Sequence, residues 1–81
     1  MKYIVYILYS VSIKKYYIGH TGNLEQRLKR HNAGLVRSTK PGVPWKFIYQ
    51  EKYLTKQEAY KRELRIKSYK GGEAFKKLIE N

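Results

Sequence analysis

Arg27 and His31 stand one helical turn apart, bordering an apolar stripe made by Leu24 and Leu28. Far along the chain, Ala59, Tyr60, Leu64 and Ile66 span one broad apolar arc at about 100° per residue, with Glu63 near its middle. A carboxylate there is partly desolvated and costly unless it meets a cation or a metal ion. Tyr6 and Tyr17 belong to two short aromatic runs that precede the Arg27 segment. The chain has no aspartate and no cysteine, and its two histidines, His20 and His31, are eleven positions apart. That inventory excludes a Ser-His-Asp triad and a thiolate site, and it argues against zinc. Neither a Walker loop nor a dinucleotide fingerprint is present. What remains suits phosphoryl transfer: Glu63 to hold a divalent cation, Arg27 to neutralise a scissile phosphate, and a tyrosine or histidine to handle a proton. Each residue also has a plainer role. Spacing alone favours a basic helix with Arg27 and His31 in water, and Glu63 has Lys67 one turn on, and Arg62 beside it, for a salt bridge.

The 81 residues suffice for one small domain, 1–81, burying roughly 60% of its unfolded surface around a single core. Eighteen lysines and arginines against six acids give a formal charge of +12, spread along the chain rather than gathered in a tail. A folded basic domain of this kind reads as a phosphate-binding surface, because every neutralised phosphate releases counterions. A membrane is a poorer partner, since no segment joins a basic face to an apolar face rich enough to insert. Absence of cysteine fits a cytoplasmic protein. The apolar run in Met1 to Val11 is too short to span a bilayer, is studded with Tyr3, Tyr6 and Tyr9, and lacks a small-residue cleavage site, so it reads as the first strand.

Several elements must position these groups. Tyr3 to Tyr9 is an unbroken β-branched and aromatic run, the pattern of a middle strand covered on both faces. After a turn over Ser10 to Lys15, Tyr16 to His20 returns as an antiparallel partner ended by Gly19; the turn does not fix the register, so pattern leaves open whether Tyr6 and Tyr17 share a face. Asn23 caps a helix over about Leu24 to Asn32, with Gln26 placed to reach back to the cap amide. Ala33 to Pro44 is a loop, a connector or a basic segment able to track a nucleic-acid backbone. Trp45 to Tyr53 alternates Trp45, Phe47 and Tyr49 with Lys46, Ile48 and Gln50 and reads as a third strand, Trp45 being core or sheet edge. Thr55 and Glu58 form a capping box for a helix to about Tyr69, Gly71 and Gly72 break it, and Glu73 to Ile79 forms a last helix. The order β-β-α-β-α-α gives an α+β fold, an antiparallel sheet against helices.

Ile4-Val5-Tyr6, then Tyr17-Ile18-Gly19, Arg27 eight residues past that glycine, His31 one turn on and Glu63 in a later helix together resemble the GIY-YIG nuclease superfamily. The likeness covers essentially the whole chain and is nearest to the short bacterial members that consist of this domain alone. It implies a three-stranded antiparallel sheet flanked by helices and a DNA endonuclease assisted by a single divalent ion, Mg2+ or Mn2+. By position, Glu63 is then the metal-binding carboxylate and Arg27 the stabiliser of phosphate charge. Tyr6 and Tyr17 line the same site, one contacting the attacking water or serving as general base, and His31 assists by proton relay or by fixing a tyrosine. Ile4 replaces the first motif's leading glycine. His20 follows the second motif, where some branches carry a lysine, which leaves the identity of the base open.

A nearby Arg27 and a metal ion would both favour a tyrosine phenolate. One carboxylate is a weak magnesium site, so binding is expected to tighten only when substrate phosphate adds an oxygen. His20, Arg30, Arg37 and Lys40 are candidates for nucleic-acid contact. Cleavage is expected to follow DNA structure rather than sequence, because no spare helix or ribbon is available to enter a groove; the setting that the resemblance implies is DNA repair or recombination. Specificity could come from a protein partner. The alternative function is a non-catalytic basic module of the same fold that binds nucleic acid, RNA included.

Overall fold

The computed structural model describes residues 2–80. Strand β1 (Tyr3–Ser10) lies between β2 (Lys15–Thr21) and β3 (Trp45–Tyr53) in an all-antiparallel sheet of order β2-β1-β3. Helices α1 (Leu24–Asn32), α2 (Lys56–Ser68) and α3 (Glu73–Glu80) complete the order β-β-α-β-α-α. The central strand alternates between two cores, as its unbroken apolar run requires. Val5 and Ile7 pack against Ala59 and Ile66 of α2 and Phe75 of α3, while Tyr6 and Leu8 pack on the opposite face with Trp45, Leu24 and Leu28. Helices therefore cover both faces of the sheet.

Local chemistry sets the helix ends. The Asn23 side chain accepts the Gln26 backbone N–H at 3.1 Å, starting α1. Thr55 accepts the Glu58 backbone N–H at 3.2 Å, but the Glu58 carboxylate takes the Thr55 hydroxyl at 3.0 Å instead of reaching the cap amide. In α2 the buried stripe is narrower than the sequence arc. Ala59, Glu63 and Ile66 face inward, whereas Tyr60 and Leu64 lie about half exposed on the flank, roughly 100° or more around the helix from Ala59.

Two expectations for the strands change. A bulge between Ile7 and Leu8 pairs Ile7 with Tyr49 and Leu8 with Phe47, so Ile48 is an extra residue and the Trp45-Phe47-Tyr49 alternation does not keep to one face. Gly19 does not end β2, which continues through His20 and Thr21 opposite Val5 and Ile4. Between α1 and β3 the chain is more than a connector. It makes a 3-10 turn at Lys40–Gly42 and buries Thr39, whose carbonyl accepts the Trp45 indole N–H at 2.6 Å. The Asn32 amide brackets the Trp45 backbone, accepting its N–H at 2.6 Å and donating to its carbonyl at 3.2 Å, so the end of α1 is tied to the start of β3.

Candidate active site

Tyr6 is opposite Gly19 in the β1/β2 register and Leu8 is opposite Tyr17, so the two tyrosines share the α1 face of the sheet. A Cβ on Gly19 would stand 2.7 Å from the Tyr6 hydroxyl and 3.1 Å from the Tyr17 ring. The missing side chain is what lets the Tyr6 phenol lie across the edge strand. Gly19→Ala is expected to lower stability by about 1–3 kcal/mol through overpacking and to displace the phenol from its partner, read as a lower thermal midpoint.

That partner is His31. The Tyr6 hydroxyl lies 3.0 Å from Nε2, and Nδ1 lies 2.8 Å from the Thr39 hydroxyl. Thr39 donates its own proton to the Val36 carbonyl at 3.3 Å, so its oxygen must accept from His31 Nδ1–H. Nε2 is then unprotonated and accepts from Tyr6. The imidazole is fully buried, 4.9 Å between centroids from the Tyr17 ring and 6.0 Å from that of Tyr6. The reading of α1 as a helix with His31 in water is overturned: the short helix turns this face onto the sheet, and Thr39 supplies the second partner that burial demands.

Burial, then the Arg27 and Arg30 cations, pull the His31 pKa below its usual value of 6.5. The unfolded chain therefore binds a proton that the folded one refuses once pH drops under about 6.5. His31's contribution to stability is full above that value and is lost as pH falls toward its folded pKa; thermal midpoints between pH 8 and 5 should decline in the acid half of the range, and less steeply in His31→Gln. Tyr6 moves the other way. Burial above all, with the Tyr17 and Glu63 charges, pushes its phenol up despite the opposing Arg27 guanidinium, so the free protein holds neutral phenol and not the phenolate expected from Arg27 alone.

Glu63 reaches the site from the other face. Arg62 is clamped on Glu51 of β3 by Nε at 2.9 Å and Nη2 at 3.0 Å, and the Tyr49 and Tyr53 hydroxyls donate to the same carboxylate. This fork fixes the rotation of α2 and turns the next residue toward β2. Glu63, 8% exposed, accepts from His20 Nδ1 at 2.5 Å through Oε1 and from Lys67 Nζ at 2.6 Å through Oε2. Of the two cations that sequence offered, Lys67 is the one used, and Arg62 is committed to β3.

Four of the five residues, Tyr6, Tyr17, Arg27 and His31, gather on the α1 side. Glu63 shares no hydrogen bond with them, yet its charge and that of Arg27 both act on the Tyr6 phenol. The two groups lie on either side of β2, where Gly19 is buried beneath the Tyr6 phenol and His20, facing the other way, carries Glu63. A recess of about 450 Å³ beside His20 is bounded also by Lys56, Gln57 and Tyr60, and none of the five residues lines it. Arg30, Arg37 and Lys40 are exposed. His20 is not a free basic contact but the partner of Glu63. Thr39, which orients the imidazole, carried no signal in the sequence beyond its place in a polar loop.

The chain belongs to the GIY-YIG catalytic domain family, whose model matches residues 2–76; that membership implies a nuclease family, one that generally uses divalent metal ions and takes DNA. It is 36% identical over 80 residues to a UPF0213 protein of Staphylococcus haemolyticus (strain JCSC1435), covering 98% of this chain and 96% of the relative. A UPF0213 protein of Staphylococcus aureus (strain N315) is 43% identical over 54 residues, 65% of this chain and 66% of the other. Among solved structures, the solution NMR structure of the UPF0213 protein BH0048 from Bacillus halodurans matches with a TM-score of 0.51 and 28% identity over 84% of this chain and 72% of that one. No helix among the described residues is long and apolar enough to cross a membrane.

Proposed function

We propose that this protein is a divalent-metal-dependent endonuclease that hydrolyses DNA phosphodiesters at the β2 edge, selecting structure rather than sequence. The observation that supports it most is the ordered chain from Tyr6 through His31 to Thr39 and Val36. It leaves a neutral imidazole whose unprotonated nitrogen accepts from a phenol, a pair through which a proton can pass.

A metal fits the donor set in a limited way. Among the described residues no three His, Cys, Asp or Glu side chains cluster, and both Glu63 oxygens already have partners, His20 and Lys67. Lys67 is half exposed on a flexible stem and can withdraw, leaving one anionic carboxylate suited to a hard cation that keeps most of its waters. Glu63 would hold Mg2+ or Mn2+, which supplies Lewis-acid stabilisation of phosphate charge when bound.

The protein's own groups handle the proton. As the oxygen of an attacking water bonds to phosphorus and the bond from phosphorus to the leaving sugar oxygen breaks, that water gives a proton to the Tyr6 oxygen and the Tyr6 proton passes to His31 Nε2, while Nδ1–H stays on Thr39 and keeps the ring in place; the departing alkoxide takes its proton from solvent. His31 is held neutral, so it is ready to accept at pH 7. Arg27 is placed to offset the negative charge that develops on the phosphate, and Tyr17, against the His31 ring, shapes the water side of the site. Arg27→Ala should therefore lower turnover by roughly 10² with little change in thermal midpoint. The test of the whole reading is cleavage of linear, nicked and branched DNA with Mg2+ or Mn2+, the parent beside Glu63→Gln. Failure of the parent to cut any of them would leave a non-catalytic basic binder.

A further inference from the structure

On the far side of Lys67 from Glu63 lies a second hollow, a cleft of about 380 Å³ that the proposed chemistry does not use. Lys14 and Lys15 border it from the hairpin, Lys67 and Lys70 from the end of α2, and Tyr16 and Phe75 form its wall. No acidic side chain lines it. Lys14, Lys15 and Lys70, beside a Lys67 already paired with Glu63, in a chain of charge +12 describe a seat for phosphate.

Backbone geometry sets this cleft apart from the general basic surface. Among the described residues only two that are not glycine have positive φ, Lys14 at 53° and Lys70 at 50°, and both border it. Such left-handed positions in hairpin turns and after helices ordinarily go to glycine or asparagine, which take them at less cost. Lysine is disfavoured there, yet it stands at both places. Strained positions that collect around one hollow mark it for use.

The wall completes the chemistry. Tyr16 is 46% exposed but braced: its ring sits 4.8 Å from that of Tyr9 and 5.0 Å, edge-on at 73°, from that of Phe75. A rigid aromatic side chain flanked by lysines is a stacking platform for a base whose phosphates the cations hold. A paired base offers no free face to such a platform.

Building on the nuclease reading, the geometry points to this cleft as a subsite for the unpaired nucleotides of a DNA strand. A base stacks on Tyr16, Lys14, Lys15 and Lys70 hold the flanking phosphates, and Lys67 links the cleft to Glu63. The substrate is then DNA with a single-stranded segment, such as a flap, gap or overhang, fed along the β2 edge to the site of cleavage.

The experiment is fluorescence anisotropy in EDTA with a labelled oligo-dT strand, a DNA duplex of equal length and an oligo-rU strand. The proteins are the parent, Lys14→Gly/Lys70→Gly, Tyr16→Ala and Tyr16→Phe, with thermal unfolding of each. Glycine relieves the left-handed backbone while loosening the unfolded chain, so the double variant should melt close to the parent. It should nevertheless lose about tenfold in affinity for oligo-dT, and its salt slope should fall by roughly 1.4, or about 0.7 for each phosphate contact removed. Tyr16→Ala should lose roughly tenfold and Tyr16→Phe should keep the parent's grip. Duplex affinity should change far less. Equal losses on strand and duplex would reduce the cleft to diffuse surface charge, and unchanged oligo-dT binding would remove it altogether. Tighter binding of oligo-rU than of oligo-dT would overturn the assignment to DNA. Cleavage by the parent and its loss in Glu63→Gln are read separately with metal, so the subsite can fail while the nuclease stands, and the reverse.

Discussion

Glu63→Gln should leave DNA uncut while binding it nearly as the parent does. The substitution keeps the shape of a side chain that is almost wholly buried, and its amide oxygen can still accept from Lys67. What disappears is the one negative charge set between His20 and Lys67, and with it the proposed site for a divalent cation. A neutral amide is a far weaker ligand than a carboxylate for a strongly hydrated ion. Cleavage should fall to background in a gel assay with Mg2+ or Mn2+, while anisotropy shows an affinity within a fewfold of the parent, since binding depends chiefly on the spread of basic charge. Parent-like cutting by this variant would trace the activity to a contaminating nuclease and end the assignment.

His31→Ala carries the second large effect, and it strikes stability and turnover together. The imidazole is fully enclosed and satisfies two buried hydroxyls, those of Tyr6 and Thr39. Its removal leaves a cavity and a phenol with no acceptor, costing about 3 kcal/mol. A domain of this size is held by only about 4–12 kcal/mol in total, so a fall in thermal midpoint of roughly 12–24 °C is expected. Tyr6→Phe separates the two roles. It removes a single oxygen, should cost far less stability, and should still lower turnover by roughly 10² if the phenol passes a proton to the ring. Normal turnover in Tyr6→Phe, measured well below its melting point, would make the Tyr6–His31 bond purely structural.

The two substitutions probe opposite faces of one sheet. Gly19, itself buried, links those faces: with no side chain there, the Tyr6 phenol from the α1 side lies across the edge strand whose next residue, His20, carries Glu63 on the α2 side. The catalytic reading depends on that close approach more than on any single charged residue.

Much of the architecture follows from the chain's own pattern. A run such as Tyr3 to Tyr9, with no polar break, is stable only where both faces are covered, which makes it the middle strand of a small sheet. Asn23 and Thr55 start their helices because their side-chain oxygens fit the free amides of a first turn, a matter settled within three residues. Tyr6, Tyr17, Arg27, His31 and Glu63 could be grouped only through the resemblance to the GIY-YIG superfamily, because spacing by itself left Arg27 and His31 in water and Glu63 in a salt bridge. Tertiary structure decided which partners those groups meet. Register placed Tyr6 over Gly19, the 3-10 segment brought Thr39 under His31, and the Glu51 fork rotated α2 so that Glu63 met His20 across 43 positions of sequence. Local propensity acts over a turn or two, whereas burial, proton position and ion pairing depend on what the rest of the chain brings within a few ångströms, and only the folded sheet brings it there.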